Sequence, residues 1–289
     1  TKTFTTIGII VPVLSTTPVT GITTNSAQSG GNITSNGNAT VTARGVVWGT
    51  SSNPTLENNS GKTTDGAGTG SFTSDLTGLQ DGTTYYVRAW ATNERGTGYG
   101  DEVEFTTTGI SVPTVTTADI TSITTNSAQS GGNVTSDGNS TVTARGIVWG
   151  TSPNPTLENN SGKTTDGTGT GSFTSDLTEL QDGTTYYVRA YASNERGTGY
   201  GDEVEFTTTG ISVPTLTTAA VTSITINSAQ GGGNVTSDGN STVTARGIVW
   251  STSPTPTVEN NSGKTTDGAG TGSFTSDLTE LQDGTTYYV

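Results

Sequence analysis

The chain contains no cysteine, no histidine and no methionine. Without cysteine it has no disulfide, no thiol nucleophile and no thiolate metal site. It therefore gives no sign of its redox compartment. Without histidine it lacks the side chain that titrates near neutrality and the commonest metal ligand. Basic residues are scarce: 11 Lys and Arg stand against 25 Asp and Glu, for a net charge of −14. No basic stripe exists to neutralise phosphates, which argues against nucleic-acid binding. The same scarcity argues against attraction to anionic membrane surfaces. The acidic balance serves solubility. Long apolar runs are missing too. The longest near the N-terminus, residues 7–14, is broken by Gly8 and Pro12, far short of the ~20 residues of a membrane span. No membrane insertion is expected in this segment. With no basic leader before it, that run does not read as a signal peptide. It aligns instead with residues 108–115 and 209–216.

Hydrophobic residues make up 28% of the chain and aromatics 7%, while glycine is abundant at 41 residues. Counting glycine as apolar raises the share to about 42%, near the usual ~45–50% of globular domains. That suffices for small cores. Aromatic content and strand-like alternation argue against disorder in this Thr-, Ser- and Asn-rich sequence.

What the chain has above all is repetition. Asn25, Asn126 and Asn227 recur at a spacing of 101, as do Trp48, Trp149 and Trp250. Residues 110–188 match 211–289 at 70 of 79 positions. Several differences exchange one aliphatic residue for another, such as Val115 for Leu216 and Ile120 for Val221. Such exchanges suit buried positions. A period of 101 exceeds the 20–50 residues of a solenoid unit and matches an autonomous domain.

Within one period the pattern is that of short strands. In the central copy, residues 128–135 place Ala128, Ser130, Gly132 and Val134 on one face. Residues 141–150 carry Ile147, Val148 and Trp149, apolar on both faces as in a central strand. Residues 184–192 alternate Tyr186, Val188, Ala190 and Ala192 against Tyr187, Arg189 and Tyr191. Val204 and Phe206 point inward from the last strand. Period-two alternation with β-branched and aromatic residues is the strand signature. Asp137-Gly138, Asp182-Gly183 and Arg196-Gly197 mark turns between strands. Six or seven strands in about 100 residues predict an all-β chain of tandem Greek-key β-sandwich domains, arranged as beads on a string.

Residues 180–192, LQDGTTYYVRAYA, resemble the E–F corner of fibronectin type III domains. There a leucine precedes by six residues a tyrosine whose hydroxyl ties the corner to nearby backbone. Leu79 with Tyr85, Leu180 with Tyr186, and Leu281 with Tyr287 hold those positions. ASNERGTGYGDEVEFTT resembles the F–G hairpin and last strand of that family. GIVWGTSPNPT is similar to fibronectin-type-III-like repeats of large secreted bacterial surface proteins. The early strand-B tryptophan is missing, with Ala128 and Gly132 in that region and a tryptophan on strand C instead. Fibronectin-like and immunoglobulin-like topologies therefore both remain open.

The expected boundaries follow. Residues 1–9 match the final strand of a preceding domain or a donor strand, with Phe4 aligned to Phe105. Sandwich repeats occupy 10–109, 110–210 and 211–289. The third lacks counterparts of residues 189–202, the end of strand F and strand G. A window on a longer array explains this. The alternative is strand exchange, with residues 1–8 completing a neighbouring sheet.

Candidate chemistry is sparse, and no catalytic, cofactor-binding or metal-binding residue is expected. Asp101, Glu102 and Glu104 cluster beside an edge strand, where solvation explains them better than catalysis does. DGAGTG at 65–70 and DGTGTG at 166–171 look acidic and glycine-rich. Each offers one Asp, whereas calcium takes six to eight oxygens, so calcium is the weaker reading against a glycine-rich hairpin loop. Lys62, Lys163 and Lys264 read as solvated loop charges rather than crosslinking residues. Asn133, Asn139 and Asn159 head Asn-x-Ser/Thr triplets that would mark secreted surface loops if glycosylated. Tyr86 and Trp90, with Tyr187 and Tyr191, are expected to face outward from the sheet. They could form a contact surface for glycans or surface proteins, pack against flanking arginines, or lie under an edge of the other sheet folded over them.

The sequence reading is a non-enzymatic structural or adhesive segment, extracellular or on a cell surface, acting as a stalk or filament. Neighbouring copies of the domain or chain are its expected partners. Two alternatives stand beside it: a glycan- or protein-binding module using the aromatics, and spacer domains of a secreted polysaccharide-degrading enzyme.

Overall fold

The computed structural model describes residues 1–289, which form strands, turns and loops without a helix. In the first repeat the strands are β1 (Val13–Thr16), β2 (Ser26–Ser35), β3 (Ala43–Gly49), β4 (Gly61–Lys62), β5 (Gly70–Thr77), β6 (Thr84–Asn93), β7 (Gly96–Tyr99) and β8 (Val103–Thr106). One sheet has the order β1-β2-β5. The other runs β4-β3-β6, and β6 then pairs with β7 along one half and β8 along the other. Every pairing is antiparallel. The second repeat reproduces this plan.

The position of β4 narrows the topology left open above by excluding the constant-type immunoglobulin plan. Constant-type immunoglobulin sandwiches place their fourth strand with A, B and E. Here β4 pairs with β3 instead, Val47 opposite Lys62 and Trp48 opposite Gly61. Lys62, expected in a loop, is therefore an exposed residue of a short edge strand. Gly61 is required there because a Cβ would lie 2.3 Å from the Trp48 ring. The tryptophan covers the glycine and fills the space of the absent side chain.

Each complete sandwich closes on a cluster of 13 buried residues. Inward positions of β6 supply Tyr85, Val87, Ala89 and Ala91, and β5 supplies Phe72 and Leu76. The missing strand-B tryptophan is explained by glycine. A Cβ on Gly31 would fall within 3 Å of both the Phe72 ring and Ala89. The two sheets approach closely at this point, and Phe72 from β5 takes the space. Burying a side chain of this size is worth ~1.5–3 kcal/mol.

The third repeat keeps the first sheet, from Thr215–Thr218, Ala229–Ser237 and Gly272–Leu278. Its second sheet is reduced to Val249–Trp250 paired with Gly263–Lys264 and a single bridge between Ser251 and Tyr288. The buried cluster falls to four residues. Leu216 is 55% exposed, whereas its counterpart Val115 is 6% exposed.

Candidate functional site

Three places could carry function: the Leu–Tyr corner, the sheet face with its aromatics, and the chain between successive sandwiches. At the corner, Tyr85 is buried and its hydroxyl accepts a hydrogen bond from Gln80 N at 3.0 Å. Its ring stacks on Phe105 at 5.8 Å between centroids. Thr107 Oγ1 donates to Gln80 O at 2.6 Å, and Thr83 N donates to Thr107 Oγ1 at 2.9 Å. Leu79 is buried beneath. Tyr186 receives the same bond from Gln181 N and stacks on Phe206 at 5.9 Å, over buried Leu180. Tyr287 accepts from Gln282 N at 3.0 Å, but it and Leu281 are only half-buried. No phenylalanine covers that ring.

The sheet face differs from expectation. Trp90 and Tyr191 are 5% and 3% exposed, so neither belongs to an outward contact surface. The reason is the segment that leaves β4. Tyr191 Oη donates to Thr164 O at 2.7 Å, which places that segment over the tyrosine. Trp90 takes the same position in the first repeat, where its indole N–H has no partner. Tyr86 and Tyr187 stay half-exposed. The arginines between these aromatics do not stack on them. Arg88 and Arg189 lie over Tyr99 and Tyr200, each at 4.8 Å.

The DGAGTG segment is not a hairpin loop. It crosses from β4 in one sheet to β5 in the other. Its carbonyls surround a side chain: Arg44 Nε donates to Asp65 O at 3.3 Å, and Nη1 donates to Thr69 O at 3.1 Å. The guanidinium also lies over Phe72 at 5.1 Å. Asp65 Oδ2 accepts from the hydroxyls of Thr63, at 2.7 Å, and Ser74. The cation held by the carbonyls of this segment is the Arg44 guanidinium. The arrangement recurs at Arg145 and Arg246. Among the clustered acids, Glu102 accepts from Asn53 N and so anchors the loop after β3.

The joints between sandwiches are the most developed feature. After β8, Thr108 N donates to Thr23 O at 3.0 Å and Gly82 N to Thr108 O at 3.2 Å. Ile110 N donates to the Asp81 carboxylate at 3.1 Å. These bonds hold the link to the first repeat. On the other side, Asn139 Nδ2 donates to Gly109 O at 2.9 Å, and Ser111 N donates to Gly138 O at 2.9 Å. The buried Asn194 gives Nδ2 to Ser111 O at 2.7 Å and to Asp137 O at 2.8 Å. Gly138 has φ 70°, and a Cβ there would lie 2.1 Å from Ser111 O. The second joint repeats the pattern, with Ile211 N on Asp182, Asn240 on Gly210 O and Ser212 N on Gly239 O. Residues 108–111 are therefore pinned from both sides. Asn139, singled out as the head of an Asn-x-Ser/Thr triplet, spends its amide on the joint.

No protein-family model and no curated protein matches the chain. Among solved structures it is similar to the FN1–FN3 domains of chicken CNTN1, at 12% identity and a TM-score of 0.28, covering 96% of this chain and 90% of that one. It is also similar to a segment of titin, at 17% identity and a TM-score of 0.29, covering 69% and 67%. At these TM-scores the sandwich assignment rests on the strand pairing itself.

Proposed function

We propose that the chain is a structural segment of an extracellular or cell-surface repeat protein, without catalytic activity, in which the sandwiches set reach and the joints set stiffness. The observation that carries this reading is the pinned link. Short links alone leave successive domains free to swing, because interfaces within a chain are usually small. Here hydrogen bonds from both neighbours hold four consecutive residues, in the same geometry at each joint. A set of bonds copied at each period transmits one relative orientation along an array. Length then scales with the number of repeats, as a stalk or filament requires. An adhesive role would place receptor contact elsewhere and give these repeats the spacing. The resemblance to repeats of large secreted bacterial surface proteins supports that setting. The burial of Trp90 and Tyr191 weighs against recognition through the sheet face.

Small-angle scattering on the full chain tests the proposal. A compact globule of this length would have a radius of gyration of about 19 Å. Three sandwiches end to end, each about as long as a ten-residue strand at ~3.4 Å per residue, give about 30 Å. A value near the globular one would refute the spacer reading.

A further inference from the structure

The turn that receives each link has the same backbone in all three repeats but not the same sequence. Its first residue is Asn36 in the first repeat, and Asp137 and Asp238 in the others. Gly37, Gly138 and Gly239 follow, at φ 66°, 70° and 69°. The joint imposes that glycine, since a Cβ on Gly37 would lie 2.0 Å from Ile10 O. The first repeat therefore carries an Asn-Gly pair, and the sequence has no other.

We infer that Asn36 is a site of spontaneous deamidation, which converts the first repeat's turn to the aspartyl form already encoded in the other two. The reaction needs a nucleophile, a polarised carbonyl, a free leaving group and access to water. The nucleophile is the Gly37 backbone nitrogen, unshielded because glycine has no Cβ. It donates to Ser35 Oγ at 3.2 Å rather than to a sheet carbonyl, so a hydroxyl rotation frees it. Asn38 N donates to Asn36 Oδ1 at 3.1 Å, aimed at the oxygen on which charge develops as Cγ is attacked. Asn36 takes part in side-chain bonding through its oxygens alone, and Nδ2 has no partner. The residue is exposed. Other loop asparagines are held back. Asn59 gives Nδ2 to Thr55 O at 2.9 Å and Asn38 to Gly8 O at 3.0 Å, and each precedes a residue with a Cβ.

The chemistry balances with water alone. Gly37 N gives up its proton and bonds to Asn36 Cγ. The bond from Cγ to Nδ2 breaks, and ammonia leaves with that proton. Water then opens the five-membered imide. Cleavage between Gly37 N and Cγ leaves aspartate. Cleavage between Gly37 N and the Asn36 peptide carbonyl carbon leaves isoaspartate. The fold distinguishes these products. Asp137 shows the aspartyl turn intact, with Oδ1 accepting from Asn139 N at 2.9 Å while Gly138 O receives Ser111 N at 2.9 Å. Isoaspartate adds a methylene to the backbone and carries Gly37 O away from Ile10 N, its donor at 3.0 Å. The joint therefore selects aspartate. This chemistry does not depend on the spacer role.

Ageing the full chain at mildly alkaline pH, beside a free peptide of residues 32–42, tests it by peptide mass spectrometry. Residue 36 should gain one dalton, faster as pH rises, because the attacking nitrogen must lose its proton. Asp137→Asn should install a second reactive site, in a turn that the first repeat shows to fold with asparagine. After prolonged ageing, which lets both products re-form the imide, the ratio of aspartate to isoaspartate should exceed the peptide's by about fivefold, the worth of one hydrogen bond. Conversion confined to Asn36, and to residue 137 in the variant, with aspartate enriched, supports the inference. Asn36 intact once the peptide has converted, equal conversion at Asn59, a silent Asp137→Asn variant, or a peptide-like product ratio would overturn it.

Discussion

Replacing Gly138 by alanine should loosen one joint while leaving both neighbouring sandwiches folded. The reasoning starts from the approach of two backbones. Gly138 receives Ser111 N at 2.9 Å, and its added Cβ would fall 2.1 Å from Ser111 O. No real side chain tolerates that distance, so the link must move away. Its φ of 70° adds the left-handed cost, about 1–2 kcal/mol for a residue with a Cβ. The link is held to the second sandwich by Ser111 N, Asn139 and Asn194. At ~0.5–1.5 kcal/mol each, these bonds give an opening free energy of roughly 3 kcal/mol. That corresponds to amide protection of Ser111 by a factor of about 100. Hydrogen exchange read at Ser111 and Ile110 is the assay. In the native chain Ser111 should exchange about 100-fold slower than a free peptide. In Gly138→Ala it should approach the free rate, while Ile110, bonded to Asp81 across the other half, keeps part of its protection. Core amides of β3 and β6 should be unaffected. Free-peptide exchange at Ser111 in the native chain, or unchanged protection in the variant, would refute the pinned joint.

Two further substitutions separate the contributions within one sandwich. Tyr186→Phe keeps the stack on Phe206 but removes the acceptor of Gln181 N; chemical denaturation should show a loss of about 1–2 kcal/mol, and no loss would mean the hydroxyl does not hold the corner. Trp90→Tyr restores the hydroxyl that the second repeat uses at Tyr191, in place of an indole N–H with no partner; the first sandwich should gain about 1 kcal/mol, and a loss would mean the larger ring's packing outweighs its orphan donor.

The fold was legible because the strands of this chain are nearly all half-buried. Tyr186, Val188, Ala190 and Ala192 alternate with polar or larger neighbours, and they are the buried face of their strand. What alternation cannot register is a second cover on the other face. Tyr191 lies under the segment after the Gly162–Lys163 strand, and two residues are too short a strand to show a period. The Gly162–Trp149 pair was hidden for the same reason: the glycine matters through what lies across from it, not along the chain. The joint was half visible. Asp137-Gly138 reads as a turn, and it is one, but its carbonyl also receives the link. Asp81, Asn139 and Asn194 are ordinary polar residues in sequence. Only the return of the chain past them gives their oxygens and amides a shared target.

The independence of the repeat is tested most directly by excising residues 110–210 and following its thermal unfolding by circular dichroism. A closed cluster of 13 buried residues with its own corner predicts a β-type spectrum and one cooperative transition. A disordered or helical spectrum would contradict it.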